Sequence, residues 1–593
     1  MPRIFIAVFM SMAAISIASA DSAPQLFHVD VHAPSRAERG EIARMGFDLE
    51  GVDLANGIAK LVATIDDVRL LQSMGYAVDY TQVDFPANMV DYHDGEETDD
   101  LIDGWAADYP DILHVFSLGD SVEGRPIRVL KISDNADTDE DEPGFVLLAR
   151  HHAREPLSSE LALETIGRLL ESYETDPYTE WLVNEREIFV IPRHNPDGAA
   201  YDEAQDLVYW RKNRRQNAGE PAECWGVDTN RNYGYQWGLD QGSSGDPCSE
   251  VYRGPSAFSE PETSLTKAFL EAHTNITTLI SLHTFGNMIL YPWGYTATPI
   301  GDATDLSIFQ AMAARFRDSN GYTTGPGSSL YPISGDTVDW AYGALGLFAF
   351  TFEVSNTDYG FYPPDDIFDI TYFLNFPAME MAAGLAGDPS MALNCGLWLF
   401  EGESLGDAAK VVWAPIVETN GAGYEVLRSD AEDGTYISMT SGLIATGADG
   451  YELQDGPATA ANDASSATYT YWYKVKFTSN NPSLHREFGP ISVTVDAPLP
   501  TGPTTSTTTT STTTTTAPTT TTVPTTTTTT TVPSDDDTDD DADDDADDDD
   551  TWFPDDDADD DDDTTPDTSD DDTDDIPESA AGETNDSGSG CGC

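Results

Sequence analysis

From Leu26 the chain alternates apolar and polar positions through LFHVDVHA, the two-residue period of a half-buried strand. GIAKLVATIDDVRLLQSMGYAVDY passes from that period to a helical spacing and back, predicting strand, helix, strand. Residues 21–90 therefore read as a small α+β unit. Beyond residue 91 the pattern changes. GRPIRVLKIS, PGFVLLAR, REIFVIPRHNPDG, ITTLISLHTF and GLFAFTFEVS are short apolar runs rich in Val, Ile, Leu and Phe. Helical stretches such as SSELALETIGRLLESY and SEPETSLTKAFLEAH separate several of them. Buried strands alternating with helices predict an α/β sheet domain over 91–388. Across 390–497, AKVVWAPI, GYEVLRSD, TYTYWYKVKFTS and GPISVTV alternate between turn-rich spacers with almost no helical pattern. That spacing predicts a β-sandwich, a spacer or docking module rather than a ligand-binding one.

The two ends lack these patterns. Residues 1–20, MPRIFIAVFMSMAAISIASA, hold an early Arg, a short apolar run and Ala18-Ser19-Ala20, the layout of a secretory signal. No later stretch offers the roughly 18 unbroken apolar residues of a membrane span. An exported chain is expected, soluble or held at the cell surface by its tail. Residues 498–533 are Thr with scattered Pro, an extended linker that cannot bury a core. Residues 534–593 are Asp-rich and end in SGSGCGC. Spaced acids can hold Ca²⁺ through oxygen ligands, but without Gly turns or a fixed ligand register a solvated polyanion is the better reading. With 106 acidic and 28 basic residues the net charge is −78, which repels nucleic acid and anionic membranes. Export permits disulfides. Of the five cysteines, Cys224 and Cys248 are the most economical pair, while Cys395, Cys591 and Cys593 have no evident partner. Closing that loop stabilises by roughly 3 kcal/mol in the chain-entropy account.

Chemistry concentrates where strands end. LLARHHAREPLSSE carries His151, His152, Arg154 and Glu155 between the strand GFVLLAR and a helix, and His283 ends the strand TTLISLH. Open α/β sheets gather ligands at the carboxyl ends of their strands. A catalytic zinc takes three protein ligands and leaves one position for water. A short-spaced His/Glu pair plus one distant His makes such a set, although His-x-x-Glu alone recurs by chance.

The wider context is more specific. HHAREP is followed by NPDG, YWRKNRR, GVDTNRNY, CSEVYRG, SLHTFGNMILYPWGY, LYPISGDTVDWAY and FTFEVSNT, with SLGDSVEGRPIRVLKI upstream. Together these blocks resemble the zinc carboxypeptidases of the funnelin type, the carboxypeptidase A/B and carboxypeptidase T group, over roughly residues 90–388. The resemblance implies a mixed twisted sheet flanked by helices. It implies that His152, Glu155 and His283 bind Zn²⁺ and that Glu353 is the general base for a zinc-activated water. A Glu after FAFTF is costly to bury without a purpose, which agrees with that role. Arg211 matches the residue that stabilises the oxyanion, while Arg214 and Arg215 read as surface charges. Asn230, Arg231 and Arg154 match the groups that hold substrate, and a forked guanidinium suits a terminal carboxylate. Tyr331 matches the mobile tyrosine that closes over the bound C-terminus.

Leu290, Gly294, Ile333, Val338 and Thr351 match the specificity pocket and are mostly apolar, which favours hydrophobic or aromatic C-terminal residues. Asp336 adds an acid that suits basic ones, with a paired structural Asp as the alternative. Cys224 and Cys248 sit where some members of the family have a disulfide. His151 and His194 fall outside the pattern and read as structural. Residues 21–90 resemble the family's propeptide loosely, in position and length, which implies a zymogen. The sandwich resembles a fibronectin type III module, and the transthyretin-like domain of the regulatory branch stays open. The resemblance implies a monomeric, secreted enzyme acting on peptide and protein C-termini. Two other readings are an inactive surface binding protein and a hydrolase of N-acyl amino acids or cell-wall peptide amides.

Overall fold

The computed structural model describes residues 25–500, apart from 48, 54–55, 83–91, 205–208, 240–241, 357–358, 420, 457–467 and 482–483, together with the strand at 508–511. The leader at 1–20, the Asp-rich stretch, Cys591 and Cys593 lie outside the described residues.

The leading unit comprises β1 (Leu26–His32), α1 (Arg36–Arg44), β2 (Gly51–Asp53), β3 (Ile58–Thr64), α2 (Ile65–Ser73) and β4 (Val78–Gln82). Its strands form an antiparallel sheet in the order β2-β3-β1-β4. Ser35 and Thr64 close capping boxes with Glu38 and Asp67, which fixes where both helices begin. The alternation seen in the sequence buries Val29, Val31, Ala59 and Leu61 against Ile42, Val68 and Leu71. The same apolar cluster takes in Met288, Leu290, Leu330 and Tyr331, so the unit shares its core with the domain that follows.

That domain runs α3 (Gly95–Asp108), β5 (Leu113–Asp120), β6 (Pro126–Ile132), β7 (Gly144–Ala149), α4 (Pro156–Ser172), α5 (Pro177–Glu185), β8 (Glu187–Ile191), α6 (Pro196–Ala204), α7 (Pro261–Ala272), β9 (Ile276–Thr284), β10 (Met288–Tyr291), α8 (Ala303–Asn320), β11 (Thr323–Pro326), α9 (Thr337–Leu345), β12 (Phe348–Val354) and α10 (Asp365–Leu385). Its eight-stranded sheet has the order β11-β10-β12-β9-β7-β8-β6-β5. β7 runs parallel to β8 and β9, and β9 parallel to β12, while β5, β6 and β10 bring in antiparallel pairs. The mixed α/β sheet is the architecture expected. PGFVLLAR lacks alternation because both faces of β7 are covered: Phe145, Leu147 and Ala149 enter one core with α4 and α10, and Val146 and Leu148 enter another with α7 and α9.

The sandwich contains β13 (Cys395–Ser404), β14 (Ala409–Glu418), β15 (Gly421–Ser429), β16 (Ile437–Ser438), β17 (Gly450–Asp455), β18 (Tyr469–Ser479), β19 (Arg486–Val495) and β20 (Thr508–Ser511). Two four-stranded sheets, β13-β14-β17-β20 and β16-β15-β18-β19, enclose Trp413, Tyr424, Tyr451, Tyr473 and Phe477. It meets the preceding domain where the Trp398 ring lies 5.6 Å from Tyr178 and where Arg486 pairs with Asp388 at 2.8 Å. The expected end at 497 needs correction. Leu499 is buried, and Thr508–Ser511, inside the tract read as linker, pairs antiparallel with β17. Thr is β-branched and favours an extended edge strand when a partner is available. No described helix is long and apolar enough to cross a membrane.

Candidate active site

β7 ends in a sharp turn at Arg150, whose φ is +57°, and α4 starts with Pro156 in its first turn. His152 and Glu155 lie in that turn, and His283 is the second-last residue of the neighbouring β9. All three are buried and converge. His152 Nδ1 is 2.6 Å from Glu155 Oε1, His283 Nδ1 is 2.9 Å from Glu155 Oε2, and the two Nδ1 atoms are 3.2 Å apart. Two imidazole nitrogens and one carboxylate meeting at one point fit the donor set of a catalytic zinc. Burial works against ionising Glu155, but the His152 and His283 rings outweigh it and hold the carboxyl well below its usual range. Burial pushes His283 down, which keeps its lone pair available.

Asp228 was not singled out from the sequence, yet it links the candidate metal site to the candidate substrate site. Its Oδ1 is 3.3 Å from His152 Nε2, and its Oδ2 accepts from Arg211 Nε at 3.0 Å and Nη2 at 2.8 Å. Burial disfavours its charge, but Arg211 and Arg231 hold the carboxyl well below the carboxylate range. The signal was present as the acid two residues before Asn230 in DTNRN. Asn230 and Arg231 occupy a 3₁₀ turn that Asp228 caps. The Asn230 Oδ1 accepts from Thr337 N at 2.9 Å, and Arg231 Nε donates to Gly242 O at 2.7 Å.

One cavity of about 60 Å³ joins these groups, lined by His152, Glu155, Arg211, Asn230, Arg231 and Glu353. All six predicted pocket positions, Leu290, Gly294, Ile333, Asp336, Val338 and Thr351, line it as well. Asp336 caps α9 with one oxygen and leaves Oδ1 without a hydrogen bond, facing Gly294. Burial raises its carboxyl to about 6 despite Arg231 nearby. Asp339 accepts instead from the Gly294 and Tyr295 amides.

The leading unit reaches the same cavity through Leu49 and Glu50, which no sequence signal marked. Arg154 pairs with Glu50 at 3.3 Å and stacks on Phe361 at 4.4 Å. The Tyr331 hydroxyl donates to Leu49 O at 3.2 Å. Arg39 donates to Leu330 O at 2.6 Å and Ser329 O at 3.2 Å, and Arg36 to Ser328 O at 2.7 Å, so the loop carrying Tyr331 is gripped from outside.

His151 and His194 are buried beside the candidate metal ligands with ring centroids 4.1 Å apart. Arg214 is not a surface charge, while Arg215 keeps its side chain 34% exposed. Arg214 is buried with its guanidinium 3.6 Å from the Tyr201 ring, and Arg215 pairs with Glu260 at 2.7 Å. Residues 209–215 fold inward, so their cations find aromatic faces and acids. Cys224 and Cys248 are disulfide-bonded, and Cys395 is a buried free thiol.

The zinc carboxypeptidase family profile matches residues 98–376. A zinc carboxypeptidase of Saccharothrix mutabilis subsp. capreolus is 34% identical over 327 residues, covering 52% of this chain and 74% of that protein. The chain belongs to the zinc carboxypeptidase family. Carboxypeptidase A4 of Mus musculus is 36% identical over 278 residues, 46% of this chain and 65% of that relative, so the chain spans slightly under two thirds of it. Two crystal structures share the fold. Carboxypeptidase A from Helicoverpa armigera superposes with a TM-score of 0.52 at 24% identity, covering 62% of this chain and 97% of that one. Thrombin activatable fibrinolysis inhibitor superposes at 0.51 and 24%, covering 61% and 100%. The residues matched by the family profile include the three candidate ligands and Glu353, and the sandwich lies outside them.

Proposed function

We propose that the chain is an exported peptidase that removes single residues from peptide and protein C-termini. The observation that carries this reading is the sharing of one cavity by His152, Glu155, Glu353, Arg211 and the Asn230–Arg231 pair, with His283 converging on Glu155 from behind. Bound zinc would supply Lewis acidity at the scissile carbonyl and lower the pKa of the attacking water. Glu353 takes the proton from that water and passes it to the leaving amine. Arg211, held by Asp228, aims its donors at the oxyanion. Asn230, Arg231 and Arg154 grip the terminal carboxylate, which makes the cleavage exo-acting. The apolar pocket with Asp336 on its wall suits hydrophobic or aromatic C-terminal residues, and basic ones once Asp336 is ionised.

The leading unit acts as an inhibitory propeptide in this reading. Glu50 occupies Arg154, Leu49 holds Tyr331, and the remaining cavity is far below the roughly 300 Å³ of a small-molecule site. The Cys224–Cys248 disulfide supports an oxidising, exported location. An intact ligand set and Glu353 weigh against an inactive binding protein. The full chain, after limited proteolysis between β4 and α3, should release the free C-terminal amino acid from a blocked dipeptide. Chelation should abolish release and zinc should restore it. Zinc binding without release would remove the peptidase reading.

A further inference from the structure

His151 ligates nothing, yet it is central to the hydrogen bonding beneath the site. Its ring is fully buried and stacks on His283, centroids 5.3 Å apart and planes 19° apart. His151 Nδ1 lies 3.3 Å from Ser281 Oγ. Its Nε2 lies 3.1 Å from Thr337 Oγ1 and 3.2 Å from the Tyr233 hydroxyl. Ser281 Oγ is 3.0 Å from His283 Nε2, and Thr337 Oγ1 is 2.8 Å from Asn230 Oδ1. One unbroken path therefore runs from a candidate metal ligand, through His151, to a candidate carboxylate clamp.

Hydrogen-bond chemistry gives this path a direction. His283 turns Nδ1 toward Glu155, so that nitrogen ligates only when the ring proton sits on Nε2. Asn230 Nδ2, 3.3 Å from Nε2, is itself a donor, because the Thr337 amide fixes Oδ1 on the other side. Ser281 Oγ is left as the acceptor for Nε2–H. The single Ser281 proton then goes to His151 Nδ1. His151 in turn carries its proton on Nε2 and donates toward Thr337 Oγ1, and the Thr337 proton goes to Asn230 Oδ1. Ser281 and His283 stand two residues apart on β9, so the strand holds both on one face.

We propose that His151 is a positioning residue with two arms. Through Ser281 it fixes the His283 tautomer that can ligate, and through Thr337 it fixes the Asn230 amide that faces the substrate carboxylate. The inference rests on the peptidase reading above. A histidine suits the task because one ring accepts at Nδ1 while donating at Nε2, which no other neutral side chain does in that geometry.

Two measurements separate the arms: zinc affinity by chelator competition on the full chain, and KM and kcat for a blocked dipeptide after limited proteolysis between β4 and α3. His151→Leu cuts both arms. Zinc affinity falls about 10- to 100-fold, as for other partners of metal-bound histidines, and KM rises about fivefold, the worth of one neutral hydrogen bond. His151→Asn places an acceptor near the Nδ1 position and nothing at Nε2, so zinc affinity recovers while KM stays raised. His151→Gln places a donor near the Nε2 position, so KM recovers while zinc affinity stays low. A packing role alone cannot produce that crossed pattern. Should the His151 variants fail to fold, Ser281→Ala lowers zinc affinity alone and Thr337→Val raises KM alone. Unchanged zinc affinity and KM in His151→Leu overturn the proposal, as does equal loss of both in the Asn and Gln variants. A wild-type chain that neither binds zinc nor releases C-terminal residues overturns the peptidase reading itself.

Discussion

Glu353 and His283 are Cα partners on one rung of the parallel β9–β12 ladder. The candidate base and a candidate ligand are therefore held in register by the sheet, which keeps their separation independent of the surrounding loops. Glu353→Gln should keep that rung and the zinc affinity but lose about 10²- to 10⁴-fold in kcat. Paired chelator-competition and steady-state measurements check it, and a parallel fall in zinc affinity would count against a base.

The Glu50–Arg154 pair should set how tightly the leading unit silences the site. Glu50→Gln takes a carboxylate partner from the buried Arg154. In the uncut chain, hydrolysis of a small blocked dipeptide should rise by about tenfold, because breaking a buried pair weakens the docked state. The cut enzyme should be unaffected. Activity assays before and after limited proteolysis make the comparison.

Asp336 should make residue preference depend on pH. Burial raises its carboxyl to about 6, so the pocket wall is neutral below that pH and anionic above it. The ratio of kcat/KM for C-terminal Lys over C-terminal Leu should climb between pH 5 and 7, the window about that value. Asp336→Asn should flatten the rise. A ratio that climbs equally in both proteins would place the effect elsewhere.

Glu262 should penalise the fold at high pH. It is fully buried on α7, and burial raises its carboxyl to about 8 from an ordinary 4.5. Between those values the folded state binds more protons than the unfolded one, so stability falls as pH rises through that window. The slope is at most about 1.4 kcal/mol per pH unit. Glu262→Gln should lose this slope and be more stable than the parent chain at pH 8 but not at pH 4.5. Denaturant unfolding at several pH values reads it directly.

The sequence made the mixed sheet legible because β7, β9 and β12 are largely buried on both faces and carry apolar clusters, unbroken in β7 and interrupted by Thr, Ser, His and Glu in the other two. The candidate ligand set, whose three residues converge in the structure, was suggested by another source: spaced blocks of sequence that resemble a family whose site is built from them. Neither source marks Glu50, because its role comes from docking two units, and FDLEGVDL carries no trace of what it will face. Asp228 was hidden in a quoted motif, its task divided between His152 and Arg211, which lie far apart in the chain. Thr508–Ser511 was misread because composition describes an isolated tract, whereas β17 offers that stretch a ladder to complete.

The shared core between the leading unit and the main domain also bears on the proposed activation. Met288, Leu290 and Leu330 are buried at 5–6% exposure among the leading unit's side chains. In the proposed zymogen, departure of that unit would bare these residues beside the cleft that Leu290 also lines. An enzyme freed in that way would present arriving peptide with a greasy threshold, where an apolar chain adheres before its terminus is gripped inside.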